Sequence, residues 1–259
     1  MGQYYPTDSV LHRMDSRTKL FGTLVFIVSL FIANNIWCYL AATVFLGMAI
    51  LISRVPFSFM VKGLKAIVFL LLISVSFNLF LTEGTPIFQI GFLKVTWEGL
   101  RLSVFMGVRL IFLVIGSSIM TLTTTPNELT DGLEKSLGFL KKIKVPVHEM
   151  SMMMSIALRF IPILIEETDK IMKAQMARGA DFETGNLIQK AKNMVPLLVP
   201  LFISAFRRAT DLAMAMEARC YHGGEGRTKM KPLHYAARDR IAYGVYAVYL
   251  VIVFMLRRI

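Results

Sequence analysis

The sequence predicts an all-α integral membrane protein, with about five transmembrane helices and three amphipathic helices at the cytoplasmic surface or membrane interface. Of its 259 residues, 55% are hydrophobic and 18% are charged, whereas a soluble domain typically has about 25% charged residues. The chain also contains apolar runs of about 20 residues, the length that a helix needs to cross the hydrocarbon core. In addition, a charged region at 124–240 keeps helical periodicity without the uniform apolarity of a span.

Five apolar runs are candidate spans, and they define the predicted domains. The first two are separated by so short a turn that they must form a hairpin. The five runs cover residues 20–37, 38–53, 66–82, 100–122 and 241–259. We therefore expect three domains, namely N-terminal transmembrane helices at 1–123, a cytoplasmic domain at 124–240 and a C-terminal transmembrane helix at 241–259.

The distribution of lysine and arginine predicts a cytoplasmic N-terminus. The segment before residue 20 and the stretch 54–65 each hold three such residues near a span, against one in 83–99, and cytoplasmic loops carry the excess of positive charge. With five spans, however, Arg257 and Arg258 would lie outside. Either the region 126–240 also crosses the membrane, or a late pair of charges is tolerated.

The charged region predicts three helices, at 125–143, from 146 to about 178, and from about 190 to 219. Thr125 is placed to cap the first of them, with Pro126 at its first position and Glu128 completing a capping box. The other two have apolar residues at spacings of three, four or seven, which form one face of a helix. About 30 residues in a helix extend some 45 Å, enough to lie along a membrane surface and still protrude.

Several functions are disfavoured by the sequence. No Gly-x-x-x-x-Gly-Lys-Ser/Thr motif is present for ATP, the four histidines have no zinc-ligand spacing, and no motif for reading nucleic acid accompanies the net charge of +12. The glycine-rich stretch 222–227 follows a helix instead of preceding one, which favours a turn over a phosphate cradle. Cys38 and Cys220 are expected to be free thiols. We predict a non-catalytic chain without cofactor, metal or nucleic acid.

Two polar residues within predicted spans have two interpretations each. Charged residues inside a membrane are functional candidates by default, yet Arg109 is better explained as facing the bundle with a carbonyl partner. Asn78 is placed to join helices by hydrogen bonds instead of touching a substrate.

Methionines are concentrated in the charged region. Core packing explains most of them individually, but thioethers on helices without an obvious cover also make an adaptable binding surface. The region holds ten of the 17 methionines, namely Met150, Met152, Met153, Met154, Met172, Met176, Met194, Met214, Met216 and Met230.

Two similar triplets end the second and third predicted helices. The first is Ala177-Arg178-Gly179 and the second is Ala218-Arg219-Cys220. For one copy, a cation that complements the helix dipole and a glycine cap would suffice. Cysteine is not a preferred cap, so the repetition favours a docking role, in which small neighbours permit close approach and the guanidinium binds carboxylates on a partner. Two such ends imply a partner that is itself double.

These residues resemble a known family. The stretches "TTTPNELTDGLEKSL", "LRFIPILIEETDKIMKAQMARGADF", "MEARCYHGG" and "MDSRTKL" are similar, in family order, to the T component of energy-coupling factor transporters (EcfT, the CbiQ-like family). The resemblance covers essentially the whole chain. It implies a transmembrane scaffold in the bacterial cell membrane that joins a membrane-embedded substrate-binding S component to two ABC-type ATPases, which bind the ATP.

The resemblance also implies roles for the triplets and the methionines. Residues Ala177, Arg178 and Gly179 would dock on one ATPase, and Ala218, Arg219 and Cys220 on the other. The methionine-rich faces would contact an exchangeable S component for vitamin uptake. Alternatives are a T component dedicated to a cobalt or nickel transporter and, more remotely, an integral membrane enzyme.

Overall fold

A computed structural model of the chain describes residues 4–90, 93–182, 186–223, 230 and 232–258. Helices dominate these residues, as predicted for an all-α membrane protein. The α-helices are α1 (Ser16–Ile32), α2 (Ile36–Ser53), α3 (Phe57–Leu81), α4 (Trp97–Thr123), α5 (Pro126–Ser136), α6 (Val147–Ala177), α7 (Leu187–Glu217) and α8 (Ala237–Leu256). A 3-10 helix follows α5 at Leu137–Ile143.

The stretch 83–99, which holds a single lysine and is predicted to lie outside, contains a short β-hairpin that the sequence did not indicate. Strand β1 (Pro86–Ile90) pairs antiparallel with β2 (Leu93–Thr96). Thr96 then caps α4, since its side-chain oxygen accepts a hydrogen bond from the Gly99 N–H at 3.0 Å. The hairpin therefore ends directly at the first turn of the following helix.

Within the described residues, four helices are long and apolar enough to cross a membrane, namely α2, α4, α6 and α8. Helix α3 is a fifth if its two parts, which meet at a 62° bend, are counted as one span. The number agrees with the predicted five, but the set of helices differs. Helix α6, which was not predicted as a span, is long and apolar enough, whereas α1, in the region of the predicted first span, has only 17 residues. Helix α3 begins at Phe57, whereas the predicted span began at residue 66. The charged residues in 54–65 are unfavourable inside a membrane, but they do not prevent the chain from being helical.

Two compact units divide the chain. The first, here called the transmembrane unit, contains the residues up to Lys135 and those from Leu233 onward. Its core is formed mainly by α1, α2, α4 and α8, with Leu30, Cys38 and Met60 completely buried. Phe45 and Tyr249 stack with ring centroids 4.3 Å apart, and the Tyr249 hydroxyl lies 2.7 Å from the Ser29 hydroxyl.

A buried polar cluster in this unit explains the "MDSRTKL" motif. Asp15 caps α1 and binds the guanidinium of Arg17 at 2.7 Å. Its own N–H donates to the carboxylate of Asp239, at the start of α8, at 2.9 Å. The Lys19 ammonium donates to the Thr123 carbonyl at the end of α4 at 2.8 Å. The motif thus connects three helix ends that are far apart in sequence.

The charges of this cluster are mutually compensated. Burial alone would raise the pKa of Asp15, but hydrogen bonds from the Arg17 side chain and backbone, together with the charges of Arg17 and Lys19, bring that pKa below its ordinary value. Arg17 also lies over the Tyr235 ring, 3.9 Å from its centroid. The carboxylate therefore stays ionised at neutral pH.

The second unit, here called the helical hairpin, covers Ser136–Pro232. Helices α6 and α7 pack against each other, and Arg208 of α7 forms a 2.8 Å ion pair with Glu167 of α6. Both helices continue through their internal prolines. Few side chains are buried among the residues described in this unit: Val147, Ser151 and Leu197.

The predicted first helix of the charged region is only partly correct. The capping box is present, because the Glu128 N–H donates to the Thr125 hydroxyl at 3.3 Å and the Thr125 N–H donates to the Glu128 carboxylate at 3.2 Å. The α-helix ends at Ser136, however, and continues as a 3-10 helix until Lys144, whose φ of 60° stops it.

Candidate functional site: two arginine-bearing helix ends

The first triplet closes α6. Ala177 is the last residue of this helix, and Gly179 follows with a left-handed φ of 88°. The Ala180 N–H donates to the Gln175 carbonyl at 3.0 Å, which is the six-residue hydrogen bond of a Schellman closing turn. Glycine adopts this conformation at little cost, because it lacks a Cβ atom.

The second triplet closes α7 in the same way. The helix ends at Glu217, and Cys220 has a left-handed φ of 53°. The Tyr221 N–H donates to the Met216 carbonyl at 3.1 Å, the counterpart of the bond at the first end. Cysteine is not a preferred helix cap, yet Cys220 occupies the same cap position as Gly179. The two helix ends therefore do not differ in how they are capped.

The two arginines occupy equivalent positions in these turns. Arg178 and Arg219 each precede the left-handed residue, and each donates its backbone N–H to the carbonyl three residues earlier, at 3.0 and 3.1 Å. Both side chains are exposed. Among the described residues, neither guanidinium has a hydrogen bond or an ion pair. Each turn thus places at the tip of its helix a cation that has no partner among the described residues.

The neighbours of both arginines leave room for close approach. Ala177 and Ala218 are exposed, and a Cβ atom added to Gly179 would meet nothing within 4 Å. Cys220 is an exposed free thiol, as expected. The six residues of the triplets are therefore brought into two accessible sites of three residues each.

The two sites lie at opposite ends of the hairpin. Ile156, in the first half of α6, lines the same cleft as Arg219, so α6 and α7 run antiparallel. Arg178 is about 22 residues further along α6, which is about 33 Å at the helical rise of 1.5 Å per residue. A single small groove could therefore not contact both arginines at once.

A cleft of about 410 Å³ adjoins the second site. One wall is apolar and comes from both helices, whereas the rim carries the polar residues of the turn. The imidazole Nδ1 of His222 lies 2.8 Å from the Cys220 carbonyl, which fixes the chain after the turn. The lining consists of Met152, Ile156, Leu212, Met216, Arg219, Cys220, Tyr221, His222 and Gly223.

The methionines of the hairpin lie at its surface, as the adaptable-surface interpretation requires. None of the ten is buried: Met152, Met172 and Met216 are half-buried, and the others are exposed. Large aliphatic and aromatic residues accompany them, among them Phe202 and Phe206, which are 60% and 70% exposed. Core packing within this chain therefore does not account for them.

The other residues singled out in the sequence have structural roles. Arg109 has its expected carbonyl partner, since it donates to Ala33 at 3.2 Å and to the Tyr39 hydroxyl at 3.1 Å. Asn78 instead donates within its own helix, to the Ser74 carbonyl at 2.8 Å, so the prediction that it joins helices is wrong. Most of the stretch 222–227 lies outside the described residues.

Sequence reasoning missed Asp239, which is 1% exposed and bonded to Asp15. The signal was present in part, because Asp239 stands three residues after Ala236, whose N–H donates to its carboxylate at 2.8 Å. That spacing is typical of a helix N-terminus. No local pattern indicated the partner 224 positions away.

Comparison with known proteins identifies the family of the chain. The family model of CbiQ, described as a cobalt transport protein, matches residues 7–230. A protein of Clostridium kluyveri named energy-coupling factor transporter transmembrane protein EcfT is 57% identical over 261 residues, covering 100% of this chain and 96% of its own. The proteins of that name from Bacillus subtilis and Lactococcus lactis are 52% and 47% identical, covering 92% and 93% of this chain and 91% of their own chains. The chain therefore belongs to the CbiQ family, as an EcfT transmembrane component of energy-coupling factor transporters.

Proposed function

We propose that this chain is the scaffold that transmits ATP-driven movement of two ABC-type ATPases to a membrane-embedded S component, for vitamin uptake. The observation that carries the proposal is the pair of equivalent helix ends, each presenting between small neighbours an exposed guanidinium that has no partner among the described residues. The ATPases bind the ATP, and the chain itself catalyses no reaction. Its N-terminus and charged region are cytoplasmic.

Each triplet docks in a groove of one ATPase. Ala177, Arg178 and Gly179 serve one ATPase, whereas Ala218, Arg219 and Cys220 serve the other. The arginine fork binds groove carboxylates by paired hydrogen bonds, and the small residues let the backbone approach. The estimated separation of about 33 Å along α6 supports two docking sites on two subunits.

The exposed methionine-rich faces of α6 and α7 bind the S component. A surface of flexible thioethers repacks against different partners, which favours a scaffold shared by several S components. The shared form is also in keeping with the general energy-coupling factor name of the relatives. The cobalt description of the family model favours the dedicated cobalt or nickel form instead, which remains the second candidate.

Copurification from native membranes in mild detergent tests the proposal. We expect two ATPases together with several different small membrane proteins. Two ATPases with one constant membrane partner would replace the shared form by the dedicated form. The absence of any ATPase, with the chain intact and folded, would reduce both arginines to helix caps and refute the proposal.

A further inference from the structure

A cavity of about 220 Å³, partly open to the surface, lies between α1, α2, α4 and α8 of the transmembrane unit. Its walls are almost entirely apolar and include Phe26, Phe45, Met48, Ile52, Val245 and Tyr246. An apolar cavity of about 150 Å³ is known to stay dry and accept benzene. The cavity therefore suits a hydrocarbon stretch, though it is too small for a whole lipid.

The lysine in the cavity wall does not call for a charged ligand. Lys19 is buried, and its ammonium already donates to the carbonyls of Thr123 at 2.8 Å and His12 at 3.3 Å. An occupant of the inner cavity consequently meets mostly apolar groups, beside an ammonium that already donates two of its three N–H groups to carbonyls. The inner part therefore selects a neutral hydrocarbon.

A second cleft adjoins the cavity, because Val10, Ile52 and Arg238 line both. This outer cleft contains three guanidiniums, those of Arg13, Arg54 and Arg238, against one carboxylate. The carboxylate belongs to Asp8 and is paired with Arg13. The cleft thus has an excess of two positive charges.

The two remaining arginines are available to a ligand. Arg54 and Arg238 are exposed, and neither side chain makes a hydrogen bond or an ion pair among the residues that the structure describes. Arg54 directly follows α2, and Arg238 is the second residue of α8. Both helices are apolar and long enough to cross a membrane, so their charged ends are expected at the depth of lipid headgroups.

We propose that these two clefts together bind one anionic glycerophospholipid, with part of one acyl chain in the inner cavity and the phosphate headgroup on Arg54 and Arg238. An arginine fork matches the geometry of phosphate oxygens. A headgroup with net negative charge is selected over a zwitterionic one, because the cleft offers no unpaired carboxylate for a choline or ethanolamine cation. The lipid would connect the start of α8 to the end of α2.

Photo-crosslinking in the full chain tests this site. The chain is purified in mild detergent with the proteins that accompany it and incubated with phosphatidylglycerol that carries a diazirine near the end of one acyl chain. We expect adducts on peptides of α1, α2 and α8 that face the cavity. Unlabelled phosphatidylglycerol should compete at least tenfold more effectively than phosphatidylcholine.

Paired variants separate the two parts of the site. Ala242→Phe fills the cavity and should abolish the adducts, whereas Ala247→Phe, on an exposed position of the same helix outside the cavity lining, should not. Replacing Arg54 and Arg238 by Gln should weaken phosphatidylglycerol binding roughly 20- to 30-fold, since each basic residue near a membrane surface contributes about fivefold. The matched control replaces the exposed Lys65 and Arg240 by Gln.

Three results would overturn the proposal. Equal competition by phosphatidylcholine would make the cavity a nonselective contact with the bilayer. Equal labelling of the Arg54→Gln/Arg238→Gln variant and its control would remove the headgroup site, even if Ala242→Phe fails to fold. Protection of the cavity peptides by an accompanying membrane protein, with no phosphatidylglycerol adduct, would identify a protein as the occupant.

Discussion

The transmembrane unit and the helical hairpin differ in where they place their apolar side chains. The former buries a contiguous core that includes Leu30, Cys38 and Met60. The hairpin has two helices of 31 residues each, yet the residues described in it bury little beyond Val147, Ser151 and Leu197. Both units expose further apolar side chains, but the transmembrane unit has a buried core of its own, whereas the residues described in the hairpin do not form one.

Their polar groups show the same contrast. In the transmembrane unit, the Asp15 N–H donates to the buried carboxylate of Asp239 at the start of α8, and buried Lys19 donates to the Thr123 carbonyl at the end of α4. In the hairpin, Arg178 and Arg219 are exposed and without a partner among the described residues. Substitutions in the first set should therefore reduce the stability of the chain, whereas substitutions in the second should reduce its association.

The largest effect on stability is expected for Asp239→Ala. This change leaves the buried N–H of Asp15 and the N–H of Ala236 without their acceptor, and at about 1–3 kcal/mol for each unsatisfied donor the loss is about 2–6 kcal/mol. Thermal unfolding in detergent measures it. Asp211→Ala, at an exposed position of the hairpin, is the control and should unfold as the unchanged chain does. Equal unfolding of both variants would contradict the structural role of Asp239.

A nearly equal effect is expected for Leu30→Ala. Leu30 is 0% exposed, and removing a buried leucine side chain costs about 3–5 kcal/mol through lost burial and the cavity left behind. Leu198 of the hairpin is 41% exposed, so Leu198→Ala should cost less than about 1 kcal/mol. Comparable losses of unfolding free energy would erase the contrast between the two units.

Smaller and opposite effects are expected at the two closing turns. Cys220→Gly should stabilise its turn, and Gly179→Ala should destabilise the other, each by about 1–2 kcal/mol, because a Cβ atom is disfavoured in the left-handed conformation. Amide hydrogen exchange at Tyr221 and Ala180 reports each turn separately. Ala218→Gly, outside the left-handed position, is the control. If Cys220→Gly and Gly179→Ala changed the stability of their turns in the same direction, the two turns would not be equivalent.

The smallest effect is a shift in acid sensitivity. The pKa of Asp15 lies below its ordinary value of 3.8, so its contribution to stability is complete above that value and is lost as the pH falls through the lowered pKa. Arg17→Ala removes the cation that lowers this pKa, so acid unfolding should begin at higher pH. Arg13→Ala removes the exposed pair with Asp8 and should shift it little. The same midpoint in both variants would exclude Asp15 as the sensitive group.

Local signals in the sequence were enough for much of the fold and of the candidate site. The capping box of Thr125 and Glu128 and the position of both triplets at helix ends follow from short-range chemistry, and a cation within an apolar span was enough to predict that Arg109 has a carbonyl partner, though not which one. Long-range partners do not, since nothing near Asp15 indicates Asp239. The sequence also did not predict the left-handed conformation of Cys220. Residues with a Cβ atom disfavour this conformation, but here the hydrogen bonds that close the helix outweigh that cost.

Binding of the purified ATPases to the chain in lipid nanodiscs tests the central claim most directly, with Arg178→Ala, Arg219→Ala, the double variant and Arg207→Ala compared. Arg207 is exposed on α7 outside both triplets and serves as the matched loss of one charge. A desolvated ion pair that loses one partner costs about 2–5 kcal/mol, so each single variant should weaken binding at least about 30-fold at its own site. The double variant should bind neither ATPase while Arg207→Ala binds both. Unchanged binding by the double variant would contradict the account of the two helix ends.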